Sequence, residues 1–101
     1  MKVFVSQPMN GIPEDEILRR RDELFNLAKN IFGDRVELID SYTKSQELED
    51  RGAVAVLGDS IALMADAELV VFARDWNMAR GCRVENMVAM LYSIPILFEH
   101  Y

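Results

Sequence analysis

Residues 69–73 read LVVFA, five apolar positions in succession with no polar residue among them. β-branched and aromatic residues fill the run, which is strand-length and too short for a helix, so it reads as a strand buried on both faces. The segments on either side decide what kind of sheet holds it. Upstream, Ala53, Leu57, Ile61 and Met64 recur with a 3.6-residue period and predict a helix from Ala53 to about Asp66. Downstream, Arg74 to Gly81 reads as a loop, followed by a second helical stretch. Within ARGCRVENMVAM (79–90), Val84 and Val88, continued by Leu91, repeat at i, i+4, i+7, with Met87 and Ala89 beside them. That stripe is the expected buried face of the helix, and Glu85 falls one residue away from it.

Two more strand-like runs precede this block and one follows it. KVFVS (Lys2 to Ser6) and VELI (Val36 to Ile39) are short and apolar-rich, and PILF (Pro95 to Phe98) is the last. Between the first two, QPMNGIP (Gln7 to Pro13) is dense in Pro, Gly and Asn and reads as a loop. Pro13 suits a helix start, and Glu14, Asp15 and Glu16 complement the dipole there. Ile17, Leu24, Ala28 and Ile31, widened by Leu18, Phe25 and Phe32, give the helical stripe, and Gly33 closes it. Asp40 to Gly52 (DSYTKSQELEDRG) is polar throughout and is expected to be a surface loop with one helical turn at most.

The order is therefore strand, helix, strand, helix, strand, helix, strand. Apolar strands alternating with helices predict a small α/β, Rossmann-like (flavodoxin-like) three-layer sandwich: about four parallel strands with helices on both faces. Ligands of such sheets bind at the carboxyl ends of the strands, where the strand order reverses. The loops at Gln7–Pro13, Asp40–Gly52 and Arg74–Gly81 lie on that edge, as does the start of the Glu85 helix. Glu85 is thus either a flank residue whose head reaches water or an acid set at a ligand site.

At 101 residues, half of them hydrophobic and 28% charged, the chain fits one globular domain spanning residues 1–101. Its longest apolar runs fall far short of the roughly 20 residues that cross a bilayer, and no signal-peptide core is present. A cytoplasmic protein with no membrane partner is the expectation. The net charge of −6 argues against a nucleic-acid partner. The one basic run, Arg19-Arg20-Arg21, is flanked by acids and reads as the wet face of a helix laced with i, i+4 ion pairs. A single cysteine excludes an internal disulfide, and a single histidine, His100, leaves no zinc cluster. A carboxylate magnesium site is left open but no spacing supports one, and neither metal nor cofactor is expected.

Several residues at the carboxyl edge carry possible chemistry. SQPMNG lacks both the dinucleotide fingerprint and the lysine of a P-loop. Its main-chain N–H groups would either hold a phosphate or sugar hydroxyl, or form a plain strand-to-helix turn. Asp59 is a site acid or a surface acid. Asp75 follows the third strand, where it would hydrogen-bond a ligand, and Trp76 would either stack on a base or cover the sheet edge. Cys82 opens a helix but has no histidine partner except one near the chain end, which weighs against a catalytic thiol.

Three segments together resemble the nucleoside 2-deoxyribosyltransferase superfamily, particularly its short phage and bacterial members: VFVSQPMNG (3–11), DSIALMADAELVVFARD (59–75) and GCRVENMVAMLYSIPIL (81–97). The resemblance implies a small Rossmann-like sheet that binds a nucleoside or nucleotide. Gly81 to Glu85 matches the family's G-x-x-x-E pattern, which makes Glu85 the expected nucleophile. Asp59 and Asp75 match its two further acids, one holding substrate and one orienting or protonating the departing base. Related nucleotide N-glycosidases use the loop after the first strand for a 5′-phosphate, which here is Ser6, Gln7, Met9, Asn10 and Gly11. Trp76 and Gly81 complete the expected substrate-binding set. The reaction implied is transfer or hydrolysis at an N-glycosyl bond, with a nucleotide-binding module as the non-catalytic alternative. A homodimer or larger homo-oligomer is implied as well, because the last strand falls so near residue 101 that one chain supplies little lid. The chain departs from the family pattern at Met87, where a glycine is usual, and at Cys82, where Thr or Val is common.

Overall fold

A computed structural model describes residues 1–42 and 50–100. Four strands form one sheet: β1 (Lys2–Ser6), β2 (Glu37–Leu38), β3 (Leu69–Phe72) and β4 (Ile96–Phe98). Their order is β2-β1-β3-β4, and every pairing is parallel. Helices α1 (Glu14–Phe32), α2 (Ala53–Met64) and α3 (Arg80–Leu91) occupy the intervals between strands. The expected α/β sandwich is therefore what the chain forms. The polar stretch 43–49, where a surface loop was expected, lies outside the described residues.

Side-chain alternation in the strands builds two half-cores. Val3, Val5, Leu69, Val71 and Ala73 point to one face and pack with Leu24 and Ala28 of α1. Phe4, Val70 and Phe72 point to the other face and pack with Met64 of α2 and Ala89 of α3. A sheet covered on both sides must be apolar on both, which is why LVVF carries no polar residue. β1 runs next to β3 with Val3 opposite Leu69 and Ser6 opposite Phe72. The chain leaves β1 for β2 on one side and returns to β3 on the other. The boundary between β1 and β3 is therefore the topological switch point.

Two helical faces differ from the sequence expectation. In α1 the buried residues are Ile17, Arg21, Leu24 and Ala28, while Leu18, Ile31 and Phe32 are exposed. Arg21 is thus a member of the buried stripe and not part of a wet basic face. Of the run 19–21, only Arg19 forms the expected i, i+4 pair, with Glu23. In α3 the buried residues are Cys82, Glu85, Asn86 and Ala89. Of the expected stripe, Val84 and Leu91 (72% exposed) stand outward, as does the adjoining Met87 (62%), whereas Val88 packs partly buried against the core beside the buried Ala89. The helix is rotated by about one residue step from the reading that hydrophobicity suggested, because polar residues occupy its sheet-facing side.

The boundaries follow local chemistry. Ile17 N–H donates to the Pro13 carbonyl at 3.0 Å, so proline stands just ahead of the first turn. Gly33 (φ +78°) ends α1, as expected, in a conformation costly for other residues. The predicted loop at 74–81 contains one short 3₁₀ turn, Trp76–Met78, before α3 begins. No helix among the described residues is long and apolar enough to cross a membrane.

Candidate functional site

Ser6 is the last residue of β1 and Glu85 lies in the second turn of α3. Because Ser6 alternates to the α2/α3 face, its Oγ meets the α3 carboxyl at the switch point and donates to Glu85 Oε1 at 2.8 Å. Both are buried, Ser6 at 1% and Glu85 at 7% exposure. Burial disfavours the charged form and pushes the Glu85 carboxyl up to about 7 from an ordinary 4.5. The Ser6 hydroxyl and the positive charge of Arg21 oppose that shift without cancelling it. The α3 dipole gives little help, since Glu85 lies beyond the first turn, where the effect has faded. The result is an acid that ionises close to neutrality in a dry setting, a property concentrated at functional sites.

Cys82, one turn before Glu85, is also buried. Burial raises its thiol to about 12, and the Ser6 hydroxyl lowers it only in part. A thiolate is therefore inaccessible near neutral pH, and the chemistry falls to the carboxyl group. Asn86 completes the buried face of α3, and its Nδ2 has no hydrogen-bond partner among the described residues.

The loop after β1 divides. Gln7 turns toward α1, where its Nε2 donates to the Ile17 carbonyl at 3.0 Å, and its Oε1 is buried without a partner among the described residues. Met9, Asn10 and Gly11 form a turn closed by Ile12 N–H on the Met9 carbonyl at 3.1 Å, with Gly11 at φ +76°. Asn10 and Gly11 are exposed. Of the expected phosphate residues, Ser6 hydrogen-bonds Glu85. Gly81 sits where a Cβ would come 3.7 Å from Leu57 of α2, an ordinary packing distance between the two helices.

The other expected acids are engaged by arginines. Asp75 follows β3 and accepts from both ends of the Arg20 fork, Nη1 at 3.1 Å and Nη2 at 3.3 Å. Arg20 Nη2 also reaches Glu99 at 3.4 Å, and Glu99 accepts the Arg74 backbone N–H at 3.0 Å. This cluster ties α1, the loop after β3 and the segment after β4 to one another. Asp59 lies on the exposed side of α2, paired with Arg51, whose hydrogen bond holds the Asp59 carboxyl below its ordinary range. Trp76 packs in a ring cluster, 5.7 Å from Phe72 and 5.8 Å from Phe98, so it covers the sheet edge.

Arg21 is the site residue that sequence reasoning missed. Its Nη2 donates to the Ile39 carbonyl at 3.0 Å and to Ser41 Oγ at 2.8 Å, across the carboxyl end of β2. A signal was present, since Ile17, Arg21, Leu24 and Ala28 keep the i, i+4, i+7, i+11 spacing of one helical face. Among the described residues no group of three or more His, Cys, Asp or Glu converges as a metal site.

No protein-family model matches the chain, and neither the curated proteins nor the solved structures contain a significant match.

Proposed function

We propose that this protein is a cytoplasmic enzyme of the N-glycosyl bond, acting on a nucleoside or nucleotide with Glu85 as nucleophile. It does so in the manner of the nucleoside 2-deoxyribosyltransferase superfamily that its motifs resemble. The observation that carries this reading is the Glu85 carboxyl, buried at the switch point and held by Ser6 Oγ at 2.8 Å. Displacement at C1′ passes through an oxocarbenium-like state, and a carboxylate in a dry pocket stabilises it and then captures it. The ionised Glu85 oxygen forms the bond to C1′ while the C1′–N pair leaves with the base, which takes up a proton. Water, or the ring nitrogen of a second base, then attacks C1′ and releases Glu85, giving hydrolysis or transfer respectively. Ser6 holds one carboxyl oxygen so that the other is free to attack.

The resemblance also implies a homo-oligomer. Val84, Met87 and Leu91 of α3 and Val54 of α2 give these helices apolar outward positions that a second copy would cover.

Incubating the protein with deoxynucleosides and deoxynucleoside 5′-monophosphates, and separating free base by chromatography, tests the reading. Base release is expected, with Glu85→Gln at least about 10³-fold slower. Absence of base release, together with unchanged properties in Glu85→Ala, would falsify the proposal.

One observation favours a second reading, a nucleotide-binding module. Asp59 faces solvent and Asp75 is engaged by Arg20, so neither stands ready beside Glu85 as a leaving-group acid. Saturable calorimetric binding with the ligand recovered intact would select this reading over catalysis.

A further inference from the structure

Arg21 is 5% exposed, yet among the described residues no carboxylate stands within ion-pair distance of it. Asp40, Asp22 and Glu85 act on it only at longer range. A buried cation with neutral partners alone is costly, so its retention in the core of a helix face calls for an explanation. A guanidinium has five N–H donors, and Nη2 spends its two on Ile39 and Ser41. The groups on Nε and Nη1 have no partner among the described residues. Arg21 therefore presents unused donors at the carboxyl edge of the sheet.

Its position relative to Glu85 follows from the layers. α1 packs on one face and α3 on the other, and each sends one charged side chain to the carboxyl edge: Arg21 to the end of β2, and Glu85 to the end of β1. A ligand over the β1 end thus lies between a guanidinium on one wall and a carboxyl on the other. The first two side chains of the SQPMNG segment are already engaged. The Ser6 hydroxyl is spent on Glu85 and the Gln7 amide on Ile17. The chain carries a net charge of −6, so an anion needs a dedicated local cation to bind.

We propose that Arg21 binds an anionic group of the crevice ligand, a phosphate above all, whose oxygens match the guanidinium fork. The substrate is then a nucleoside monophosphate and not a neutral nucleoside. The nucleoside part of this statement rests on the function proposed above, whereas the anion site does not.

Inorganic phosphate is the first probe, titrated into the protein at constant ionic strength against chloride. The Arg21 Nε–H resonance is expected to shift saturably and the melting temperature to rise. Deoxynucleoside 5′-monophosphates are then expected to bind at least about tenfold more tightly than the corresponding deoxynucleosides. Arg21→Met should abolish that preference and Arg21→Lys should keep part of it. Should Arg21→Met fail to fold, the Arg21 resonance in the unaltered protein decides. A resonance that ignores phosphate, equal binding of nucleosides and monophosphates, or a preference that survives Arg21→Met overturns the proposal. The two readings separate cleanly: a phosphate response without base release sinks the enzyme and spares the anion site. Equal base release from nucleosides and monophosphates does the reverse.

Discussion

Two acidic clusters stand on the same edge of the sheet and are built in opposite ways. Around Asp75, carboxylate oxygens meet the Arg20 fork directly, and Glu99 adds a second anion to the same guanidinium. Around Glu85, the one side-chain hydrogen bond among the described residues comes from a neutral hydroxyl, and the guanidinium that acts on it, Arg21, is bonded elsewhere. The first arrangement neutralises charge in place and fastens three segments of chain. The second keeps a carboxyl dry and close to its ionisation point. A clamp needs the former, whereas a group that must change protonation or form a bond needs the latter.

The largest expected effect breaks this contrast at its titrating end. The folded state holds the Glu85 proton up to about pH 7, whereas an ordinary glutamate releases it near 4.5. Its contribution to stability is therefore complete below 4.5 and is lost as pH rises through 7. Glu85→Gln cannot ionise, so it should match the native protein at pH 4 and exceed it above pH 7 by about 3 kcal/mol. Denaturant melts at several pH values check this, and a difference that does not vary with pH would mean that Glu85 is solvated.

Ser6→Ala should come next. It removes the hydroxyl that favours the charged carboxyl, so ionisation of Glu85 moves above 7, and stability falls by about 1–2 kcal/mol. Carbon-13 titration of the Glu85 carboxyl reads the shift directly. An unmoved midpoint would detach Ser6 from the site. At the clamp, Arg20→Met is expected to cost about 1 kcal/mol, since Asp75 remains partly wet, and to leave the Glu85 titration unmoved. If that variant shifted Glu85, the two clusters would be one network.

How much of this was legible in the chain depends on whether polarity and burial agree. They agree in LVVFA, in KVFVS and along Leu24 and Ala28, and there the strand order, the helix order and the Gly33 terminus could be read directly. They disagree at Arg21, Cys82, Glu85 and Asn86, polar or weakly polar residues that face the sheet. A pattern reading turns such residues outward and so shifts the buried face of α3, placing Val84 and Leu91 inside together with Val88, of which only Val88 packs on the core. Position along the sheet, not hydrophobicity, picked out Glu85, through its place at the carboxyl edge. Arg21 had no such aid, because its neighbours Arg19 and Arg20 made the whole run look like a solvated face. The residues that periodicity misplaces are thus polar or weakly polar side chains held on the sheet-facing sides of α1 and α3.

Asp59 gives the smallest expected effect and the sharpest check on the resemblance. Its carboxyl and Arg51 form an exposed pair on α2, and such pairs contribute little because water and salt screen them. Asp59→Asn is therefore expected to leave the denaturation curve essentially unmoved, and to slow base release far less than Glu85→Gln does. The pair holds Asp59 below its ordinary range, so what little it contributes is present at neutral pH and fades as acid protonates the carboxyl. If Asp59→Asn instead abolished base release, the exposed face of α2 would have to lie against substrate. In the single chain Asp59 is paired with Arg51 on the exposed side of α2, so a second copy, docked on the outward side of α2 and α3, would then have to bring Asp59 to its partner's Glu85. Measuring the rate of mixed assemblies of Glu85→Gln and Asp59→Asn chains distinguishes the cases. Recovery of activity on mixing places the two acids in one shared site, and no recovery leaves Asp59 as a surface residue.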